Sequence, residues 1–137
     1  MATTTYTVAT FQNPVSAAPD AIFSATALAN ASHITSTAFQ LGQLQSDMEL
    51  VVKAHGSINI GSSGTMAIHL LTDPAIDGAF ATDRLIKSYS GTTAFDDGAD
   101  IARFVPTTDT ELYCKVHIDN SEDLSTKKVD ANVFPIA

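Results

Sequence analysis

The feature that most constrains this chain is an alternation of apolar and polar residues with period two, repeated in well-separated stretches. From Met48 onward, Met48, Leu50, Val52 and Ala54 fall on one side of an extended chain, and Glu49, Lys53 and His55 on the other. Successive strand side chains point to opposite faces, so a half-buried β-strand is what turns this pattern into a buried surface. The parity runs on through Gly56 to Ile58 and Ile60, predicting one long strand kinked at the glycine. Gly61-Ser62-Ser63-Gly64 has hairpin-loop composition and leads into Met66, Ile68 and Leu70, alternating with Thr65, Ala67 and His69. Leu112, Cys114, Val116 and Ile118 form a further inward set, with Tyr113, Lys115 and His117 outward. The inward sets are expected to share one core.

Shorter strand candidates are Phe39 to Leu41, Ile101 to Val105, and Val129 to Val133. Turn-rich stretches separate them: Thr72-Asp73-Pro74, Asp77-Gly78, Asp96-Asp97-Gly98, Pro106 and Asp119-Asn120-Ser121. Asp20 to Ala31 is the one helical candidate, since alanine favours a helix and Pro19 suits a first turn. Ser24, Thr26 and Asn30 weaken it and no apolar stripe emerges, so the segment is read as extended. Short strands punctuated by turns predict an all-β, antiparallel sandwich or barrel.

A chain of 137 residues has the usual size of one domain and buries enough surface to hold a core without staples. Its single cysteine excludes an internal disulfide and suits assembly in a reducing cytoplasm. No apolar run approaches the roughly 18 residues that cross a bilayer, so no membrane partner is expected. The first Lys or Arg is Lys53, unlike the basic start of a signal peptide. The net charge of −8 argues against nucleic acid, whose phosphates need clustered cations. The first 52 residues carry only Asp20, Asp47 and Glu49 as charged groups and are rich in Ala, Thr and Ser. That composition predicts an N-terminal arm, 1–19, ahead of a sandwich domain, 20–137.

Catalytic and metal-binding patterns are hard to find. The histidines are His33, His55, His69 and His117; the last three share outward parity, so two could be neighbours across a hairpin. No H-x-H, H-E-x-x-H or C-x-x-C occurs, and the expectation is solvent-facing imidazoles with no transition metal or other cofactor. Asp96, Asp97 and Asp100, and Asp119, Glu122 and Asp123, form acidic loops without EF-hand register. They read as turn and strand-end caps, with a structural calcium ion left open. There is no G-x-S-x-G elbow, and Cys114 has core parity, which predicts an inert thiol. No phosphate-binding glycine loop precedes a helix. Nothing here predicts an enzyme.

Apolar residues outside the core pattern point instead to an interaction surface: Tyr6, Val8 and Phe11 in the arm, then Ile22, Phe23, Val51 and Tyr113. The uncharged segment Ala2 to Phe11, ending before Asn13-Pro14, has the composition of a strand that adds to a neighbouring chain's edge.

The order of several short motifs carries a resemblance. Asp20-Ala21-Ile22-Phe23-Ser24 precedes an Ala/Thr/Ser stretch ending at Ser32. Phe39-Gln40-Leu41-Gly42 follows, then Leu70-Leu71-Thr72-Asp73, then Gly98 with Ile101 and Phe104-Val105-Pro106. The Tyr113 strand and a last strand with Ala131, Val133 and Phe134 complete the series. This resembles the small jelly-roll cement, or decoration, proteins on the capsids of some short-tailed phages. The resemblance implies a jelly-roll sandwich on the outer surface of a virion, assembled in the host cytoplasm. It would bind the major capsid protein and bridge neighbouring capsomers, often as a dimer. The stretch Thr3 to Phe11 has no counterpart in that pattern. The alternative is a phage tail or adhesion module binding host glycans. Such sites stack sugars on aromatic faces, whereas this chain has no Trp and three Tyr.

Overall fold

A computed structural model describes residues 21–41, 48–107 and 109–135. The proposed arm, with Tyr6, Val8 and Phe11, lies outside the described residues. Those residues contain eleven strands and no helix: β1 (Ala21–Ala27), β2 (His33–Thr35), β3 (Phe39–Gln40), β4 (Met48–His55), β5 (Ile58–Ile60), β6 (Thr65–Asp73), β7 (Thr82–Ser90), β8 (Thr93–Phe95), β9 (Asp100–Phe104), β10 (Tyr113–Asn120) and β11 (Lys128–Pro135). Within the stretch read as extended, Ala21–Ala27 form β1.

All strand pairing is antiparallel. One sheet runs β1-β11-β4-β9; a second runs β2-β10-β6-β7, with β3 also on β10; β5 and β8 make a two-stranded ribbon. Pairing is nested: β1 takes β11, β2 and β3 take β10, β4 takes β9, and β6 takes the adjacent β7.

The two larger sheets share one core. Leu50 and Val52 from the first meet Ile68, Leu70, Val116 and Ile118 from the second in a single buried cluster. The parities of β4, β6 and β10 are thus as the alternation requires, because only one face of each sheet can leave water. Cys114 is fully buried in the same cluster, and its thiol lies 3.7 Å from the Glu111 carbonyl.

Two expectations are corrected. The stretch from Met48 to Ile60 is not one kinked strand. Gly56 takes φ 85°, a left-handed conformation that β-branched residues avoid, and ends β4 there. The chain resumes as β5 and finds a different partner, β8. Nor do the flanks of Gly61–Gly64 pair as a hairpin. The turn is real, with the Gly64 amide bonding the Gly61 carbonyl at 3.0 Å. It passes the chain from the β5–β8 ribbon into the second sheet.

The strand β7 carries no period-two signature. A register shift opposite Ile68 and His69 breaks its alternation, and it lies at the edge of its sheet. Its inner side chains still anchor it. The Tyr89 hydroxyl donates to the Ile101 carbonyl of β9 at 2.5 Å, and its ring meets Phe95 edge-on, 5.0 Å between centroids. Burial raises the pKa of that phenol.

In β1, a bulge holds Ala25 at φ 46° and frees its amide from the ladder. Asp130 on β11 accepts that N–H at 2.7 Å and bonds His55 Nδ1 at 2.9 Å. Burial pushes the Asp130 carboxyl pKa up, but these hydrogen bonds outweigh it and the net shift is downward.

Candidate functional site

The outward face of the second sheet gathers polar side chains from four strands. On β10, His117 and Asp119 are two residues apart and share a face. The register sets Thr35 and His33 of β2 opposite them on one side, and His69 of β6 opposite His117 on the other. Facing residues in an antiparallel pair have Cβ atoms only about 5 Å apart, so the side chains must meet. The His117 ring lies 4.7 Å from His33 and 5.7 Å from His69, centroid to centroid.

Asp119 is the hub. Its Oδ1 lies 3.2 Å from His117 Nε2 and 4.0 Å from His33 Nδ1, while Oδ2 lies 3.7 Å from His69 Nε2. The far nitrogens are also held: His117 Nδ1 is 2.7 Å from Thr35 Oγ1, and His69 Nδ1 is 2.8 Å from Asp83 Oδ1 on β7. Side-chain exposure is 18% for His117 and 20% for His69, against 57% for His33. These two imidazoles are therefore mostly covered, contrary to the expectation of solvent-facing rings; the third, His55, is exposed. His69 and His117 are indeed neighbours, but across the β6–β10 ladder and not across a hairpin. His55 is on the other sheet, beside Asp130. Among the described residues no Lys or Arg forms an ion pair with Asp83 or Asp119.

Asp97, Glu122 and Asp123 serve the turn and strand-end roles expected of the acidic loops, whereas Asp119 lies within β10 and turns to the histidines. Asp97 accepts the Gly56 amide at 2.8 Å, Glu122 accepts the Gly61 amide at 3.0 Å, and Asp123 accepts the Ser125 amide at 3.1 Å. The Ser125 hydroxyl and amide together lower the pKa of Asp123. Asp100 bonds Arg103 at 2.7 Å, raising the guanidinium pKa further.

The apolar interface candidates are distributed differently from the expectation. Phe23 is 5% exposed and packs in the core, and Ile22 packs against it. Val51 has outward parity yet is 3% exposed, between cross-strand partners Arg103 and Asn132. Tyr113 is half-buried, its hydroxyl 3.4 Å from Gln40 Nε2. Among the described residues, the large apolar side chains that remain exposed are Ile76, Leu85, Val105 and Phe134. Leu85 stands on the edge strand β7, which was not a candidate because its alternation is broken.

No family model, curated protein or solved structure matches the chain.

Proposed function

We propose that this chain is a structural virion protein: a capsid decoration protein that binds the major capsid protein on the shell's outer surface and bridges neighbouring capsomers. The observation that carries this reading is the nested strand order. First pairs with last, second with second-to-last, and the innermost pair are adjacent in sequence. That order supports a jelly roll, in which a long antiparallel ribbon wraps into two sheets. The motifs that resemble decoration proteins fall largely in its strands: Ile22-Phe23 in β1, Phe39 in β3, Leu70 to Asp73 in β6, Ile101 to Phe104 in β9 and Ala131 to Phe134 in β11.

Binding, not catalysis, also fits the surface. Among the described residues β7 pairs on one side only, leaving a nine-residue edge with Leu85 54% exposed. Such an edge offers backbone hydrogen bonds and apolar contact to another chain. The unit acts as a homo-oligomer, a dimer foremost, and many symmetric copies supply avidity where each contact is modest.

Quantitative mass spectrometry of purified particles tests this. Copies in the hundreds per virion, lost together with shell stability when the gene is deleted, are the expected result. A handful of copies located at the tail would overturn it in favour of a tail or adhesion role.

A further inference from the structure

We propose that His33, His117 and Asp119 form a binding site for one divalent first-row transition ion such as Zn2+, with Thr35, His69 and Asp83 as positioning residues. The inference is independent of the capsid reading.

The ligand atoms of His33, His117 and Asp119 all lie within 4.8 Å of one another. Zinc binds imidazole nitrogen and carboxylate oxygen at about 2.0–2.2 Å, so two ligand atoms on a tetrahedral ion stand about 3.3 Å apart. His117 Nε2 to Asp119 Oδ1, at 3.2 Å, already has that spacing, and His33 Nδ1 to the same oxygen, at 4.0 Å, needs a small closure. His33 is half-exposed at the start of a three-residue strand, so its side chain is free to make it.

The Thr35 contact is of the kind that orients metal-bound imidazole, a polar partner on the nitrogen facing away from the ion, and Asp83 holds His69 beside Asp119. Thr35 Oγ1 lies 2.7 Å from His117 Nδ1, and in the tautomer with the proton on Nδ1 the hydroxyl accepts it and frees Nε2, beside Asp119, to bind a metal. His69 donates Nδ1–H to Asp83, leaving Nε2 3.7 Å from the other oxygen of Asp119. The Nε2 atoms of two imidazoles therefore converge on one carboxylate that pairs with no Lys or Arg among the described residues, so a cation bound there meets a carboxylate without a basic counter-ion. Two nitrogens and one oxygen select a borderline ion over calcium or magnesium, which take oxygen ligands. The absence of a short ligand spacing is no obstacle, because strand register supplies the preorganisation that chain proximity would otherwise provide. The protein provides three ligands, and water completes the coordination.

Tag-free, EDTA-treated full-length protein titrated with ZnCl2 in a calorimeter tests the proposal. The expected result is one equivalent bound saturably, with Co2+ in its place giving the visible absorption of a four-coordinate nitrogen/oxygen site. His33→Ala and Asp119→Asn should each weaken binding at least tenfold, Thr35→Val by roughly 10–100-fold, as loss of a ligand's outer partner does, and Asp83→Asn, which reaches the site only through His69, by less than Thr35→Val. His55→Ala, on the other sheet, should bind as wild type does. His33 is exposed enough that its replacement leaves the fold intact, so it decides the matter even if Asp119→Asn unfolds. No saturable binding up to millimolar Zn2+, or equal losses in His55→Ala and His33→Ala, would overturn the site.

Discussion

Leu70 and Leu85 stand nearly side by side on paired strands but face opposite ways, and truncating each to alanine separates core from surface with identical chemistry. Leu70 is fully buried on β6, which is hydrogen-bonded to β10 on one flank and β7 on the other. Leu70→Ala removes three carbons, worth about 2.4 kcal/mol at about 0.8 kcal/mol each. Two flanking ladders hold β6 in place, so the void collapses only in part. A residual cavity of roughly 50 Å³ adds about 1.2 kcal/mol at about 24 cal/mol per Å³. The expected cost is therefore about 3–4 kcal/mol. Leu85 is 54% exposed on the edge strand, and its truncation should cost less than about 1 kcal/mol. Urea unfolding followed by circular dichroism gives both values, provided the slopes of the three transitions agree. A Leu70→Ala protein within about 0.5 kcal/mol of wild type, or a Leu85→Ala protein as unstable as Leu70→Ala, would refute the assignment of faces.

Two further predictions rest on single side chains. A Cβ at Gly78 would fall on the Asp73 carboxylate, which accepts the Ala75 and Phe80 amides and shapes the loop before β7. Gly78→Ala should therefore cost about 1–3 kcal/mol in the same urea assay, as overpacking does, and an unchanged midpoint would show that the loop yields freely. Asp130 has a depressed carboxyl pKa in the folded state, so its contribution is complete above the unfolded value of about 3.9 and is lost as pH falls through the lower folded value. Asp130→Asn should lower the melting temperature at pH 7 and flatten its decline between pH 5 and 2. Parallel acid limbs for mutant and wild type would show that the bond to the β1 bulge contributes nothing.

Much of the strand inventory was legible because alternation is a local property. Burying Met48, Leu50, Val52 and Ala54, or Cys114, Val116 and Ile118, requires that one face of an extended segment meet a core, and the parities alone say which. Alternation is silent wherever an edge or a bulge interrupts it, and so β7 left no trace. It also could not say which strands pair. Gly61–Gly64 looked like a hairpin from its composition, yet its flanks go to different sheets. Val51 read as outward and polar-facing, and is nonetheless covered.

The histidine cluster divides most clearly between the two sources. The sequence by itself determined that His69 and His117 share outward parity, since every second residue of a strand must face the same way. Only the tertiary structure decided that β2, β10 and β6 lie side by side in a register that brings His33, His69 and His117 to Asp119. The physical reason is that parity needs only a residue's immediate neighbours, whereas register is chosen by the packing of the whole inner face. Shifting β10 by one residue against β6 would turn Val116 and Ile118 outward, and the cost of exposing them holds the imidazoles in place.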